Sequence, residues 1–170
     1  MPWRNGGGVT RELLREPAHG DPFDWRVSVA QVDHDGPFSS FPGHERILVL
    51  LAGTGMDLHD GDHTVELRPP FAVHRFPGEL HIDATLLDGP TSDFNLMWRR
   101  DVLDAELAVV ALDGAVSLGA YHPVLCFVAA GSMRVGGDDL HVGDLARLDG
   151  AQRVEGRGTV LVCSLRPRST

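Results

Sequence analysis

Two arginines and an asparagine stand in alternating, apolar segments where folding alone gives little reason for charge. In Trp25-Arg26-Val27-Ser28-Val29-Ala30, a period of two puts Arg26 and Ser28 on one face and Trp25, Val27 and Val29 on the other. Asp93, Asn95 and Met97 oppose Phe94, Leu96 and Trp98 in the same way, and Arg46 immediately precedes the apolar run Ile47 to Leu51. With the polar faces turned inward, Arg26, Ser28, Arg46 and Asn95 converge in a cavity walled by Phe38 and Phe41. A mostly apolar cavity with a few placed polar groups is what a small-molecule pocket requires. Two arginines there suit a carboxylate, through charge-assisted, bidentate hydrogen bonds. The competing reading turns the polar faces to solvent and pairs the arginines with acidic neighbours such as Glu45 or Asp93.

A second candidate is Trp3-Arg4-Asn5-Gly6-Gly7-Gly8, with Thr10 just beyond it. Three consecutive glycines cost conformational entropy, and they permit positive φ or close approach of the backbone to another group. They suit either a loop whose N–H groups, with the Asn5 amide, receive an anionic or carbonyl ligand, or a tight approach of the chain beneath a sheet. A nucleotide loop is excluded, because no Lys-Ser/Thr follows and no strand precedes.

The other reactive residue types form no recognisable constellation. No Ser/His/Asp or Cys/His arrangement follows from spacing, so nucleophilic catalysis has no candidate. An enzymatic alternative remains, a metal-independent acid/base site pairing His81 with Asp93 or Asp83. His59 and His63 flank Asp60-Gly61-Asp62, which reads as a solvated hairpin tip, and the other six histidines share no spacing. Cys126 and Cys163 lie in apolar runs and read as buried thiols of a reducing compartment.

The elements that must position these residues are strands. The chain has 170 residues, 20 of them glycine and 11 proline, with 42% hydrophobic residues. Short apolar segments recur at Trp25 to Val32, Ile47 to Leu51, Thr64 to Leu67, Leu80 to Leu87, Phe94 to Trp98, Val124 to Ala129 and Thr159 to Leu165, separated by turn residues. The expectation is a mainly β chain. Asp101 to Leu112 has no clear period and is expected to hold a short helix or a connection; the join between two halves, 1–100 and 101–170, is placed there. An internal repeat supports that join. Val49 to Gly53, Met56, Gly61 and Phe76-Pro77-Gly78 correspond to Phe127 to Gly131, Met133, Gly136-Gly137 and Leu148-Asp149-Gly150. Two copies of a small β unit, closed as a barrel or jelly roll, account for it. The net charge of -9 disfavours a nucleic-acid partner. No stretch is long and apolar enough for a membrane helix, and no signal pattern opens the chain, so a cytoplasmic protein without membrane partners is expected.

The strand, glycine turn, hairpin and Gly143-Asp144 turn resemble the cupin jelly roll, duplicated into a bicupin, an all-β double-stranded β-helix. Active cupins carry two histidines and a glutamate before the first glycine turn and a histidine after the second. Here those places fall near Ser39 and Phe41, on Arg46, and on His81; in the second half Val124 and Arg153 fill the matching places. A divalent ion needs three or four N, O or S donors, and Arg46 opposes one, so both barrels are expected to lack metal and cofactor. Longer phrases are more specific. Pro2-Trp3-Arg4-Asn5-Gly6-Gly7-Gly8-Val9-Thr10-Arg11-Glu12, Phe23-Asp24-Trp25-Arg26-Val27-Ser28-Val29-Ala30, Asp35-Gly36-Pro37-Phe38-Ser39-Ser40-Phe41-Pro42-Gly43, Gly89-Pro90 and Asp93-Phe94-Asn95-Leu96-Met97 resemble, in order and spacing, the HutD/Ves family of small bacterial bicupins. That resemblance implies a regulatory role in histidine utilisation or stress response and a carboxylated ligand such as formylglutamate or urocanate. A homodimer paired through sheet edges is an analogy at the level of the fold.

Overall fold

The computed structural model describes residues 1, 3, 6–119 and 122–168; Asn5 of the glycine segment lies outside them. The described residues fold as strands and turns, in two compact units, Met1–Val102 and Leu103–Thr170.

The first unit is built from β1 (Gly8–Glu16), β2 (Trp25–Val32), β3 (Gly36–Pro37), β4 (His44–Ala52), β5 (Met56–Asp60), β6 (His63–Leu67), β7 (Val73–Pro77), β8 (Asp83–Leu86) and β9 (Thr91–Arg99). They form a five-stranded sheet in the order β1-β2-β9-β4-β7 and a four-stranded sheet in the order β3-β8-β5-β6. Every pairing is antiparallel. Leu48, Leu50 and Phe76 of the first sheet meet Met56, Leu58, Leu67 and Ala84 of the second in one buried cluster. Alternation therefore fixes which residues face the interior. The even positions of β4 point in, and the cross-strand register carries that face onto Arg26, Ser28 and Ala30 of β2 and Asp93, Asn95 and Met97 of β9.

Gly53 marks the passage of the chain from one sheet to the other. Its φ is +102°, and a Cβ there would stand 2.8 Å from the carbonyl oxygen of Pro90 and 3.0 Å from the Thr91 Cα. Both contacts are backbone and cannot swing away. Gly53→Ala is expected to destabilise the chain by at least about 2 kcal/mol in urea denaturation, through combined strain and overlap.

The second unit comprises β10 (Leu103–Leu118), β11 (Val124–Val135), β12 (Asp138–His141), β13 (Leu145–Leu148) and β14 (Gln152–Pro167). The helix or connection expected over Asp101 to Leu112 is instead the first part of β10, which pairs with β14 from Leu103↔Pro167 to Leu118↔Gln152. Its alternation is blurred by half-buried positions, so pairing with β14 rather than local pattern defines the strand. Cys126 and Cys163 are fully buried and free. Cys163 is directly opposite Leu125, the neighbour of Cys126, so the two thiols point to opposite sides of the sheet. Burial pushes both thiols up, that of Cys126 to about 11. Neither is expected to react with a thiol reagent at pH 8 until the chain is unfolded; stoichiometric labelling of the native protein would contradict this placement.

The pairing order recurs between the units. In the first, β4 lies between β7 and β9; in the second, β11 lies between β13 and β14. β5 with β6 corresponds to the end of β11 with β12, and β2 with β9 to the start of β10 with the end of β14. By this correspondence Arg46 matches Val124, each opposite the last strand (Met97, Ser164) and the hairpin strand (Phe76, Leu148).

Candidate functional site: a polar layer inside the first unit

Along the interior face of the first sheet, Arg46, Ser28, Asp93 and Asn95 are each at most 5% exposed. The two arginines are held by aromatic rings. The Arg46 guanidinium carbon lies 5.0 Å from the centre of Phe76, 5.5 Å from Phe41 and 5.7 Å from Phe38. That of Arg26 lies 4.9 Å from Phe23 and 5.1 Å from Phe41. Phe41 is thus shared, and the loop after β3 that carries Phe38 and Phe41 forms one wall. It is pinned by Phe38 N–H donating to the Ile82 carbonyl (2.8 Å) and Phe41 N–H to that of Gly78 (2.7 Å). Arg46 Nη1 donates to the Ser39 carbonyl at 3.1 Å, and Trp3 meets Phe38 edge-on at 5.8 Å.

Folding leaves several atoms of this layer unsatisfied. Arg26 Nε, Arg46 Nε, both carboxylate oxygens of Asp93, Asn95 Oδ1 and Thr91 Oγ1 are buried without a hydrogen-bond partner. An unpaired buried polar group costs about 1–3 kcal/mol, more when charged. Protein interiors seldom collect so many without purpose. Burial raises Asp93 to about 7, opposed by the positive charge of Arg46 and by the nearby Asn95 amide, which favours the carboxylate without reaching good hydrogen-bond geometry. Burial lowers Arg46 to about 10, partly offset by Asp93, with Arg26 adding repulsion. At neutral pH both arginines are charged.

The second unit shows that the fold does not require this layer. At the positions matching Arg46, Asp93, Asn95, Ser28 and Ala30 it has Val124, Val160, Val162, Ala108 and Val110, and at the position matching Arg26 it has Glu106, exposed and paired with Arg166 at 2.9 Å. Of these, Val124 and Val160 belong to the second unit's buried cluster, and Val110 and Val162 pack against it. Where the first unit buries Arg46, Asp93 and Asn95, the same topology closes with valines.

The structure brings Arg26, Arg46, Phe38 and Phe41 together and sets Ser28 and Asn95 on the same interior face. Glu45 takes neither arginine; it pairs with Arg75 at 2.8 Å and Arg100 at 3.7 Å. Gly6 and Gly7 are at the start of the first sheet, where the Gly7 carbonyl accepts the Asp33 N–H at 2.9 Å and the Gly6 N–H donates to Trp3. A Cβ on Gly8 would overlap the Gln31 carbonyl, the close approach that three glycines allow. Thr10 Oγ1 accepts the Trp3 indole N–H at 2.7 Å. Sequence reasoning treated Asp93 only as an ion-pair or acid/base partner and passed over Phe23, Phe76 and Thr91. The alternation Asp93, Asn95, Met97 already put Asp93 on the site face.

His81 is exposed, its Nδ1 3.3 Å from the Glu79 carbonyl oxygen, whereas Asp93 is fully enclosed, so the two do not form an acid/base pair here. The residues also fit a metal ion poorly. The layer offers one carboxylate and one amide oxygen against two guanidinium groups, and among the described residues no three His, Cys, Asp or Glu side chains are grouped to hold one. The second unit carries an open groove of about 650 Å³, lined by residues including Ser132, Arg134, Asp139, His141, Arg153 and Glu155. Its charges are already paired, Arg134 with Asp139 and Arg153 with Glu155, both at 2.9 Å. The buried, unpaired groups of the first unit make the stronger candidate.

Two antiparallel sheets that share one buried cluster, with the pairing order repeated in the second unit, define a cupin-fold protein. The cupin 2 barrel protein of Leptotrichia buccalis, 9% identical, overlays with a TM-score of 0.61 across 95% of this chain and 89% of that one. The chain belongs to the HutD family, whose model matches residues 1–163. It is 37% identical to an uncharacterised 21.2 kDa protein from the hutC 3′ region of Pseudomonas putida, over 95% of this chain and 84% of that protein. Protein Ves of Citrobacter koseri is 36% identical, over 79% and 70%. The solved HutD of Pseudomonas fluorescens, 34% identical, overlays with a TM-score of 0.88 over 99% of this chain and 94% of that one. Among the described residues, no helix is long and apolar enough to cross a membrane.

Proposed function

We propose that the chain is a duplicated cupin whose first unit binds a small carboxylated metabolite without a metal, as a binding and regulatory protein rather than an enzyme. One observation carries the reading: Arg46, buried, and Arg26, half-buried, are held over phenyl rings, each with an Nε–H unpaired, and the second unit has Val124 in place of Arg46. A planar guanidinium braced by aromatic rings is preorganised for a carboxylate, because little side-chain freedom is left to lose on binding. The duplication is supported by the repeated pairing order. The relative from the hutC 3′ region supports a link to histidine utilisation, where formylglutamate-like and urocanate-like acids are the ligands to try.

Thermal unfolding with urocanate, formylglutamate, glutamate and histidine tests this directly. A ligand present at 100 times its Kd stabilises the native state by about 2.7 kcal/mol, a shift of several degrees. Absence of any shift at millimolar concentration of all four would sink the proposal.

A further inference from the structure

We infer that Met97 is an oxidation site: a peroxide converts its thioether to the sulfoxide, whose oxygen takes the N–H groups of Arg26 and Arg46 and closes the first unit to anions. The oxidation rests on Met97 and its surroundings alone; the closing rests on the carboxylate reading above.

Met97 stands between the two arginines. On β9 it is directly opposite Arg26 of β2 on one side and Arg46 of β4 on the other, all three on the interior face. Partners of this kind have Cβ atoms about 4.5–5.5 Å apart, so the thioether lies beside both side chains. Arg26 Nη2 already points at it, 3.9 Å from Sδ. A thioether is a weak acceptor, and in its presence Arg26 Nε and Arg46 Nε remain unpaired. The other unpaired atoms of the layer, on Asn95, Asp93 and Thr91, follow along β9 beyond this row.

The chain carries its own comparison. Met56, Met97 and Met133 are almost equally buried, at 0%, 2% and 3% exposure. Met56 and Met133 belong to the apolar clusters of their units, where a sulfoxide oxygen would be left without a donor. The cost of an unpaired buried polar group opposes oxidation there. At Met97 the same oxygen meets two cations, and oxidation turns a weak acceptor into a strong one in front of N–H groups that folding left unpaired.

The step balances with hydrogen peroxide as oxidant. The sulfur lone pair attacks one peroxide oxygen, an S–O bond forms and the O–O bond breaks; the departing hydroxide takes the proton of the transferred oxygen and leaves as water. Sulfur gives up two electrons and the peroxide gains them. Arg26, donating to the departing oxygen, stabilises the negative charge that develops on it. The sulfoxide then accepts from the guanidinium groups that a carboxylate would use, so oxidation and anion binding exclude each other. A methionine sulfoxide reductase reverses the step.

Mass-spectrometric peptide mapping of the folded full chain after mild hydrogen peroxide treatment tests the site, with exposed Met1 as the measure of dose. Met97 is expected to oxidise at least 10-fold faster than Met56 and Met133; equal rates at the three would overturn the assignment. In Arg26→Leu, checked for folding by circular dichroism, the Met97 rate is expected to fall at least 5-fold. An unchanged or higher rate there would show that the guanidinium only covers the sulfur, and would overturn its part as donor. Titration calorimetry with formylglutamate reads the closing: affinity drops at least 10-fold on oxidation, returns after treatment with the reductase, and does not respond to peroxide in Met97→Leu. Affinity unchanged with Met97 fully oxidised would overturn the closing. If the untreated chain binds none of the four acids named above, the carboxylate reading fails and the closing with it, while the relative rates of the three buried methionines still decide whether Met97 is the oxidation site.

Discussion

Replacing Asp93 with asparagine is expected to stabilise the protein, and to do so only as the pH rises. In the folded chain burial raises this carboxyl from 3.8 to about 7. Between those values the folded state holds a proton that the unfolded state has released, so the stability of the native chain falls as pH climbs through that window and levels off above it. Asparagine mimics the protonated side chain and has no such slope. Over pH 4.5 to 8.5 the advantage of Asp93→Asn over the native chain should grow by on the order of 3 kcal/mol, from about 2.5 pH units at 1.36 kcal/mol each. Thermal unfolding of the two proteins in parallel reads this as a melting-temperature gap that opens by roughly 6–12 °C. Other titrations common to both proteins cancel in the comparison. Parallel pH profiles would mean that Asp93 is hydrated or paired in solution. A residue that lowers stability at working pH and persists in the core has a role that folding does not explain.

Arg46→Met should separate binding from folding. The side chain is lodged among Phe38, Phe41 and Phe76, and its counterpart in the second unit is Val124, so an unbranched apolar residue fills the space without exposing the rings. Stability at pH 5, where Asp93 is mostly protonated, should change by no more than about 1.5 kcal/mol. Carboxylate affinity should fall at least 30-fold, since hydrogen bonds to a charged group contribute about 1.5–3 kcal/mol each. Arg46→Lys should recover little of it, because a lysine ammonium cannot present the planar fork. The variant also removes the positive charge that holds Asp93 down. Its pH-dependent loss of stability should therefore extend to higher pH than in the native chain. An Arg46→Met protein that is unfolded at pH 5 would show that the arginine is structural.

These two residues differ in how readily the sequence gives them away. Arg46 stands out as a charge at the head of an apolar strand, in a place where cupins carry a metal ligand. Asp93 is ambiguous in sequence: alternation assigns it a face but not a partner, and the same letters suit a surface ion pair. The aromatic bracing was legible only in part. Phe38 and Phe41 share a loop with the family phrase, whereas Phe23 and Phe76 reach the arginines from segments distant in the chain. The second half was harder, because β10 is held by sixteen residues of pairing with β14, a partner whose nearest paired residue is 34 positions away.

By itself, then, the sequence determined the class of structure, the family and the alternating faces, because side-chain period, turn chemistry and long co-linear phrases are local properties of the chain. Only the tertiary structure decided which face is inside, that Arg46 and Asp93 share one enclosed layer without forming an ion pair, and that the second unit has valines where the first has Arg46, Asp93 and Asn95. Burial, register and the pairing of buried charge depend on residues that meet only when the sheets close, and no local pattern encodes them.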